Sequence, residues 1–395
     1  MAMTNINSRY EYLLEVQVLY WRARKRRDRA KLTAVLDDAV EITGLNRNYL
    51  ITKLSKRLKP YPTGLTRADP RGRKSIYGSK EFHDALLVCF RAANEICAER
   101  LQPYLPELVP KLEACGELRV DTVTRGLLLT ASIATIARRL KRIKRRSHVP
   151  LGTTKPGTLL KSQIPVRKGL WNESEPGYLE SDTVAHCGGD LSGDFIHSYN
   201  FVDIATSWSE QAAAMGMGEK ATVECFEKIR NRTPFKIVGI DSDNGGEYIN
   251  HHLWRYCKKN KIEFTRSRSG KKNDNAHVEQ KNYTAIRKVV GYARLDTIEQ
   301  LAILHKLYDG PLRLYLNYFQ PTRKRKSKEY DPSTGKARKF YFESKTPYQR
   351  LMAMDDKVVT PEQKAVLQSN YNNLNPVQLL AEVRSLLTEL EKTLG

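Results

Sequence analysis

Between residues 178 and 292 the spacing of apolar residues gives three strand patterns and then alternates between helix and strand. The strand segments are "YLESDTVAHCG", "DFIHSYNFVDIAT" and "SWSEQAAAM". After them come a helix at about 220–231, the strand "FKIVGID", the helix "INHHLWRYCKKN", the strand "IEFTRS" and a long helix at about 275–292. Consecutive strands followed by alternating helices and strands predict an α/β fold, with a mixed sheet covered by helices.

The first 60 residues predict two helices joined by a tight turn. Apolar residues follow helical spacing from Leu32 to Val40, Gly44 marks a turn, and "LNRNYLITKLSKR" starts a second amphipathic helix. Its polar face carries Arg47 and Lys53, which we take as candidate DNA contacts. A plain helical hairpin has the same spacing, but a basic second helix favours a DNA-binding helix-turn-helix.

A second helix pair is predicted before residue 146, where "VDTVTRGLLL" precedes "TASIATIARRLKRIKRR". Ser132 has the position of an N-cap. The outward-facing candidates for DNA contact are Arg138, Arg139 and Arg142. The predicted buried stripe consists of Ile133, Ile136, Ala137, Leu140 and Ile143. Again a helical hairpin without DNA-binding activity is the alternative, and the basic residues favour a second helix-turn-helix.

Two Pro/Gly-rich stretches divide the chain into domains. One occupies residues 58–78 and the other begins at residue 147. The expected domains are an N-terminal helix-turn-helix (1–60), a helical region with the second helix-turn-helix (79–146), a linker (147–177), the mixed-sheet core (178–295) and a basic C-terminal region with a terminal helix (296–395).

The charge of the chain points to a polyanionic partner. Lys and Arg number 67 against 44 Asp and Glu, which gives a formal net charge of +23. Much of it lies in the blocks "RARKRRDRAK", "RRLKRIKRR" and "RKRKSK". Each block could be a solvated face, but three together favour contact with a nucleic-acid backbone, because neutralised phosphates release counterions.

Cysteine spacing and hydropathy restrict the class of protein further. The six cysteines are scattered, without a CxxC pair or a Cys/His cluster at zinc spacing, so we expect reduced thiols. No run of eighteen apolar residues is present, and the first residues lack the pattern of a secretory signal. We therefore expect no membrane partner and a cytoplasmic, DNA-associated protein.

Three acidic residues lie at positions that such a fold would bring close together. Asp182 lies in the first strand, Asp243 follows the fourth strand in "DSDNGGEY", and Glu279 opens the long helix on the same stripe as Tyr283, Ile286 and Val290. A partly buried carboxylate needs a partner, and a shared divalent cation would keep it ionised. Oxygen ligands suit Mg²⁺ or Mn²⁺ better than zinc. Taken singly, each residue could instead favour a helix dipole, form a turn or stand at a strand edge.

These motifs resemble a known catalytic core. "LESDTVAH", "DSDNGGEY" and "NDNAHVEQKN", with 35 residues between Asp243 and Glu279, resemble the D,D,E transposases and retroviral integrases. The resemblance covers about 178–292. Outside this range, the helical region, "PGTLLKSQIPVR" and "TPYQRL" resemble bacterial insertion-sequence transposases. The resemblance implies an RNase H-like core, a mixed five-stranded sheet with helices on both faces.

The resemblance also implies a function. Asp182, Asp243 and Glu279 would bind two Mg²⁺ or Mn²⁺ ions per active site, nick transposon ends to free a 3′-hydroxyl, and transfer that strand into target DNA. The partners would be double-stranded DNA and further copies of the chain on paired ends. The retroviral zinc module is missing from the N-terminus, so end recognition would fall to the helix-turn-helix units. A catalytically silent DNA-binding regulator and an RNase H-like nuclease are the alternatives.

Several other residues compete for a place in the site. Asp241 has the strand parity of Asp243, although the spacing and the D-N-G turn favour Asp243. Asp203 has a position that is more often structural. His186 shares the face of Asp182 and could touch substrate or fill the sheet. The candidates for DNA contact beside the catalytic helix face are Lys281, Arg287 and Lys288.

The C-terminal region leaves two questions open. "KARKFYFES" and the aromatics near it suit either DNA tracking and stacking or a small sheet with an apolar face, and we favour DNA contact. The final helix spaces Leu380, Val383, Leu387, Leu390 and Leu394 three and four residues apart. It could pack within the chain or mediate self-association.

Overall fold

The computed structural model describes residues 6–58, 76–141, 174–216, 218–242, 251–266, 278, 281–330 and 337–394. The chain divides into two compact units, 1–74 and 75–395. The limits predicted near residues 146 and 295 fall inside the second unit.

Within the described residues 6–58, the first unit contains the helices α1 (Ile6–Lys25), α2 (Arg29–Thr43) and α3 (Arg47–Leu54). Gly44 ends α2 in the left-handed conformation at φ 66°, and the Asn46 side chain caps α3. The predicted turn at Gly44 is therefore present, and three residues join the two helices. The buried side chains that hold the unit together are Leu13, Val16, Tyr20, Leu36, Ala39, Leu50 and Leu54.

The described part of the second unit begins with a 3₁₀ turn at Ile76–Gly78, which is followed by the helices α4 (Lys80–Ala92), α5 (Ala98–Ala114), α6 (Thr122–Thr130) and α7 (Ile133–Leu140). Their facing sides form one apolar cluster. The Ser132 hydroxyl accepts a hydrogen bond from the Thr135 backbone N–H at 3.3 Å, which confirms the predicted N-cap.

The predicted buried stripe of α7 is only partly correct. Ile136 and Leu140 are buried, but Ile133 and Ala137 are exposed, and Thr135 is buried in their place. The reason is that a helix this short packs along a narrow stripe on α5, so that residues at the edge of the predicted stripe reach solvent. Arg142 and Ile143 lie outside the described residues.

A five-stranded mixed sheet forms the centre of the second unit, as predicted. Its strands are β1 (Tyr178–Ala185), β2 (Ile196–Asp203), β3 (Ser209–Met215), β4 (Gly239–Ser242) and β5 (Glu263–Arg266), in the order β3-β2-β1-β4-β5. The first three strands are antiparallel neighbours, whereas β4 runs parallel to β1 and β5 runs parallel to β4.

Alternation along the strands gives the sheet two different faces. One face is apolar, with Leu179, Tyr199, Phe201, Ile240 and Phe264 in one cluster with helices α8 (Glu219–Arg232) and α9 (His251–Lys259). The opposite face carries a polar set that includes Glu180, Asp182, Ser198, Asn200, Gln211 and Asp241. Helices therefore cover the apolar face, and the helix Ile298–Asp309 packs on the second face against Ile196 and Ala213. The polar side chains of the second face point towards the other segments that cross it.

The C-terminal region completes the core rather than extending from it. Its helices are α10 (Ile298–Asp309), α11 (Pro311–Tyr318), α12 (Pro347–Met352), α13 (Pro361–Asn373) and α14 (Pro376–Lys392). Tyr315, Tyr318 and Phe319 are buried in the core, so these aromatics do not stack on DNA. In α14, Val383 and Leu390 pack in one cluster with α10 and α11, which is the intramolecular alternative.

A small antiparallel hairpin interrupts these helices. Strands β6 (Arg325–Tyr330) and β7 (Ala337–Tyr341) pair with each other alone among the described strands. Its aromatic rings lie under cations: Arg323 stands 4.4 Å from the Tyr341 centroid, and Arg338 stands 5.0 Å from that of Phe340. The region is thus a small sheet whose exposed side combines positive charge with aromatic rings.

Candidate active site

Asp182 lies on the middle strand of the sheet, one residue beyond the last pair that this strand forms with β4. Strand β4 runs beside it in parallel, with Glu180 opposite Asp241 and Ser181 opposite Ser242. Parallel neighbouring strands bring their carboxyl ends to the same edge of a sheet. Asp243 follows Ser242 in the chain and lies outside the described residues.

Two hydrogen bonds tie the segment around residue 279 to β1. The Val278 backbone N–H donates to Oε2 of Glu180 at 3.1 Å, and Nδ2 of Asn282 donates to Oδ2 of Asp182 at 2.6 Å. The Thr183 backbone N–H donates to the other Asp182 oxygen at 2.8 Å. Glu279 lies between Val278 and Asn282 in the sequence but outside the described residues. The chain is thus anchored to β1 on both sides of this glutamate.

The helix that follows departs from the regular spacing assumed in the prediction. Residues Asn282–Arg287 form a π-helix, in which hydrogen bonds span five residues instead of four. Ile286 is buried as predicted, but Tyr283 is 48% exposed instead of buried. Lys281 is buried, with only 6% exposed, although the spacing predicted an outward position. The wider turn rotates the side chains relative to a regular helix, so spacing by 3.6 residues misplaces them.

The burial of Lys281 changes the chemistry expected of it. Desolvation, together with the nearby guanidinium groups of Arg350 and Arg100, lowers the pKa of its ammonium group to about 7. A buried lysine of this kind cannot contact a phosphate backbone in this conformation. Lys281 therefore belongs to the interior beside the candidate site and not to its DNA-facing surface.

The competing acids have partners that give them structural roles. Asp241 is buried and accepts a hydrogen bond from the Thr265 hydroxyl on β5 at 2.6 Å. Asp203 accepts bonds from the backbone N–H groups of Gly177 and Thr206, both at 2.8 Å. Burial raises the pKa of Asp203 to about 6, against the effect of these bonds. Asp203 thus fixes the turn after β2, as its strand position suggested.

His186 fills the sheet instead of facing an open site. It is fully buried, and its Nε2 shares a hydrogen bond with the Ser198 hydroxyl at 2.8 Å. Ser198, which lies on β2, in turn pairs with the Tyr308 hydroxyl of α10 at 2.7 Å, so the network joins the residue after β1 to β2 and α10. Desolvation, followed by Arg287 and His197, lowers the pKa of His186 to about 3. A neutral histidine in this network holds two elements together.

In the first unit, both candidates for DNA contact already interact with other side chains of the protein. Arg47 forms an ion pair with Asp37 on the preceding helix. The Lys53 ammonium lies 5.6 Å from the ring centroid of Tyr10 and 5.2 Å from that of Tyr49, and it donates to the Tyr49 hydroxyl. These contacts orient both cations on the surface of α3.

The remaining candidates differ in exposure. Arg138 and Lys288 are exposed, whereas Arg139 is half-buried. Arg287 is half-buried too, and its guanidinium lies 4.9 Å from the ring centroid of Tyr292. Arg138 and Lys288 are thus the described candidates of the second unit most open to a large anionic ligand.

Two residues beside the site were not singled out from the sequence. Asn282 donates a hydrogen bond to Asp182, and Glu180 accepts one from the Val278 backbone N–H. The sequence did contain a signal for Asn282. It lies three residues after Glu279 on a predicted helix, which puts it one turn further along the same side. The sequence did not show that this turn is a π-helix.

The donor chemistry of the site fits a hard cation. Asp182 presents carboxylate oxygens on the polar face of the sheet, and oxygen ligands are those that Mg²⁺ prefers. Among the residues that the structure describes, no three His, Cys, Asp or Glu side chains are grouped to hold a metal ion. Asp243 and Glu279 are not among those residues. Within the same described ranges, no helix is both long and apolar enough to span a membrane.

Comparisons with solved structures return, among others, two retroviral domains. The catalytic core domain of HTLV-2 integrase, in complex with magnesium and in dimeric form, is 14% identical, with a TM-score of 0.27, over 38% of this chain and 91% of that domain. The catalytic core domain of BIV integrase is 13% identical, with a TM-score of 0.26, over 44% of this chain and 91% of that domain.

Sequence comparison identifies a full-length relative. No protein-family model matches the chain. The uncharacterized protein y4rM of Sinorhizobium fredii is 35% identical over 323 residues, which are 80% of this chain and 88% of y4rM. Identity of this level over most of both chains reflects common descent, and the chain therefore belongs to the family of y4rM.

Proposed function

We propose that the protein is a DNA transposase that nicks transposon ends to free a 3′-hydroxyl and transfers the cut strand into target DNA. The observation that carries this proposal is the anchoring of Val278 and Asn282 to Glu180 and Asp182 on β1. These bonds tether the chain on both sides of Glu279 beside Asp182. The parallel register of β1 and β4 supports a position for Asp243 at the same edge.

Asp182, Asp243 and Glu279 would hold two Mg²⁺ or Mn²⁺ ions in each active site. When bound, such an ion pair activates the attacking oxygen and stabilises the leaving oxygen in a phosphoryl displacement. The Asn282 amide and the Thr183 N–H orient the Asp182 carboxylate for this task. Clustered carboxylates that repel DNA phosphate are of no use to a protein that only binds DNA, so they favour the transposase over a silent regulator.

The surface of the protein supports a DNA partner. Exposed Arg138 and Lys288 offer cations to phosphate, while Arg47 and Lys53 lie on the second helix of the N-terminal pair. The hairpin β6–β7 adds exposed Tyr341 and Phe342 among basic residues. Basic grooves with aromatic rings suit contact with the DNA backbone and with unpaired bases. Copies of the chain would assemble on paired DNA ends, inside the cell.

A strand-transfer assay tests the proposal. Purified protein is incubated with Mg²⁺ or Mn²⁺, labelled DNA carrying the inverted repeats that flank the gene, and a target plasmid. Joined products support a transposase, nicks without joining support an RNase H-like nuclease, and binding without either supports a DNA-binding regulator.

Substitutions identify the site within the same assay. We expect Asp182→Asn, Asp243→Asn and Glu279→Gln each to abolish nicking and joining. Glu263→Gln is the matched control, because it removes an exposed carboxylate from β5 in the same sheet. Joining at the wild-type rate by any of the three variants would show that the site is assigned wrongly.

A further inference from the structure

Three polar side chains lie next to one another across the middle of the sheet. Asp182 on β1 is opposite Asn200 on β2, and Asn200 is opposite Gln211 on β3. Paired residues of neighbouring strands project to the same face, so all three point towards the π-helix side. Asn200 and Gln211 are fully buried.

Hydrogen bonds connect these residues into a chain with one direction. Nε2 of Gln211 donates to Oδ1 of Asn200 at 3.0 Å, and Nδ2 of Asn200 donates to Oδ1 of Asn282 at 2.8 Å. Nδ2 of Asn282 then donates to Oδ2 of Asp182 at 2.6 Å. Every donor points towards the carboxylate at the end.

The direction of the chain is fixed by its last member. An ionised carboxylate can only accept hydrogen bonds, so Asn282 must turn its NH₂ group to Asp182 and its oxygen to Asn200. Asn200 must then present its NH₂ group to Asn282 and its oxygen to Gln211. A reversed amide at either position would place two acceptors or two donors in contact.

The fixed direction of these hydrogen bonds is unfavourable at Gln211, where the series begins. Gln211 also donates to the Ser209 hydroxyl at 2.5 Å, whereas its own Oε1 has no hydrogen-bond partner among the described residues. A buried acceptor without a partner is unfavourable. Gln211 therefore commits its donor side to Asn200 although its acceptor side goes unsatisfied.

We propose that Asn282 and Asn200, supported by Gln211, are positioning residues that hold the Asp182 carboxylate in one orientation for metal binding. This amide relay rests on the proposed function, because it assumes that Asp182 is a metal ligand. Partners of metal ligands typically contribute 10-fold to 100-fold to metal affinity. Buried amides linked in series cannot move independently, so the loss of one should release the next.

The test measures Mn²⁺ affinity of the full chain by calorimetry, without DNA. We expect Asn282→Leu to weaken Mn²⁺ binding about 10-fold to 100-fold. Asn200→Leu, which keeps the neutral charge and the branching of the side chain but removes its hydrogen-bonding groups, should also weaken Mn²⁺ binding. The double variant Asn200→Leu/Asn282→Leu should bind no more weakly than Asn282→Leu alone, because Asn200 acts only through Asn282.

Tyr199→Phe is the matched control, since Tyr199 neighbours Asn200 on β2 but bonds Thr222 on the opposite face at 3.0 Å. It should leave Mn²⁺ affinity unchanged. If Asn200→Leu does not fold, Gln211→Met replaces it in the comparison of single and double variants. The relay is wrong if the two single variants lose Mn²⁺ affinity and these losses add in the double variant. It is also wrong if Asn282→Leu binds Mn²⁺ as tightly as the wild-type protein. If the wild-type protein binds Mn²⁺ and Asp182→Asn does not weaken it, the proposed metal site and the relay both fail.

Discussion

The carboxylate of Glu180 accepts a hydrogen bond at 3.1 Å from the backbone N–H of Val278, which lies 98 residues later in the chain. Both residues are buried. The bond joins the middle strand of the sheet to the residue before Glu279, and it acts beside the bond from Asn282 to Asp182. Glu180, which is not among the proposed metal ligands, therefore fixes the backbone at Val278, one residue before the proposed ligand Glu279.

Glu180→Ala should destabilise the protein and impair joining. It leaves the buried Val278 N–H without this acceptor, which typically costs about 1–3 kcal/mol. Urea unfolding followed by circular dichroism measures the free energy of unfolding, and the strand-transfer assay measures activity. Glu180→Gln, which keeps an acceptor oxygen, should retain more of both. Equal stability of Glu180→Ala and the wild-type protein would contradict this role.

His186 should make stability fall in mild acid. The unfolded chain binds a proton at His186 below a pH of about 6.5, whereas the folded chain does so only near a pKa of about 3. The unfolded state thus binds more protons between these values, and stability decreases as the pH falls through this window. Between pH 6.5 and 5 this histidine should cost about 2 kcal/mol.

His186→Gln keeps a donor for Ser198 but has no titrating group. We expect the pH dependence of its unfolding free energy, measured at pH 7, 6 and 5, to be shallower than that of the wild-type protein. His197 provides the comparison, because burial also lowers its pKa, so His197→Gln should remove a separate part of the slope. An unchanged slope in His186→Gln would show that His186 is not held neutral.

The N-cap of α7 should support the helix that carries Arg138. Ser132→Ala removes the acceptor for the Thr135 N–H and should lower the free energy of unfolding by about 1 kcal/mol. Ser132→Asp restores an acceptor and should recover the loss. Thermal or urea unfolding measures the stability of the wild-type protein and of both variants. If Ser132→Ala is as stable as the wild-type protein, the cap contributes nothing to stability.

Exposed cations should determine how DNA binding depends on salt. Arg138→Ala and Lys288→Ala should each weaken DNA binding and reduce the slope of log K against log salt concentration by about 0.9. Lys220→Ala on α8 removes another exposed charge and serves as the control. Fluorescence anisotropy between low and moderate salt measures the slopes. If the control changes the slope as much as Arg138→Ala, the effect is one of net charge.

The order of helices and strands in the second unit was predictable because each element carries its own periodicity. The segments around Asp182, Phe201 and Phe264 alternate as strands do, and the structure places a strand at each. Ser132 and Gly44 were predictable too, since caps and left-handed turns depend on neighbours in sequence.

The sequence by itself therefore determined the helices and strands of the core, their order, and the choice of Asp182, Asp243 and Glu279 as candidate metal ligands. Only the tertiary structure decided that Lys281 is buried, that Tyr283 is exposed, and that Asn200 and Asn282 lead to Asp182. The physical reason is that these outcomes depend on a π-helix and on strand register, which bring together residues far apart in the chain. Local periodicity contains no information about such contacts.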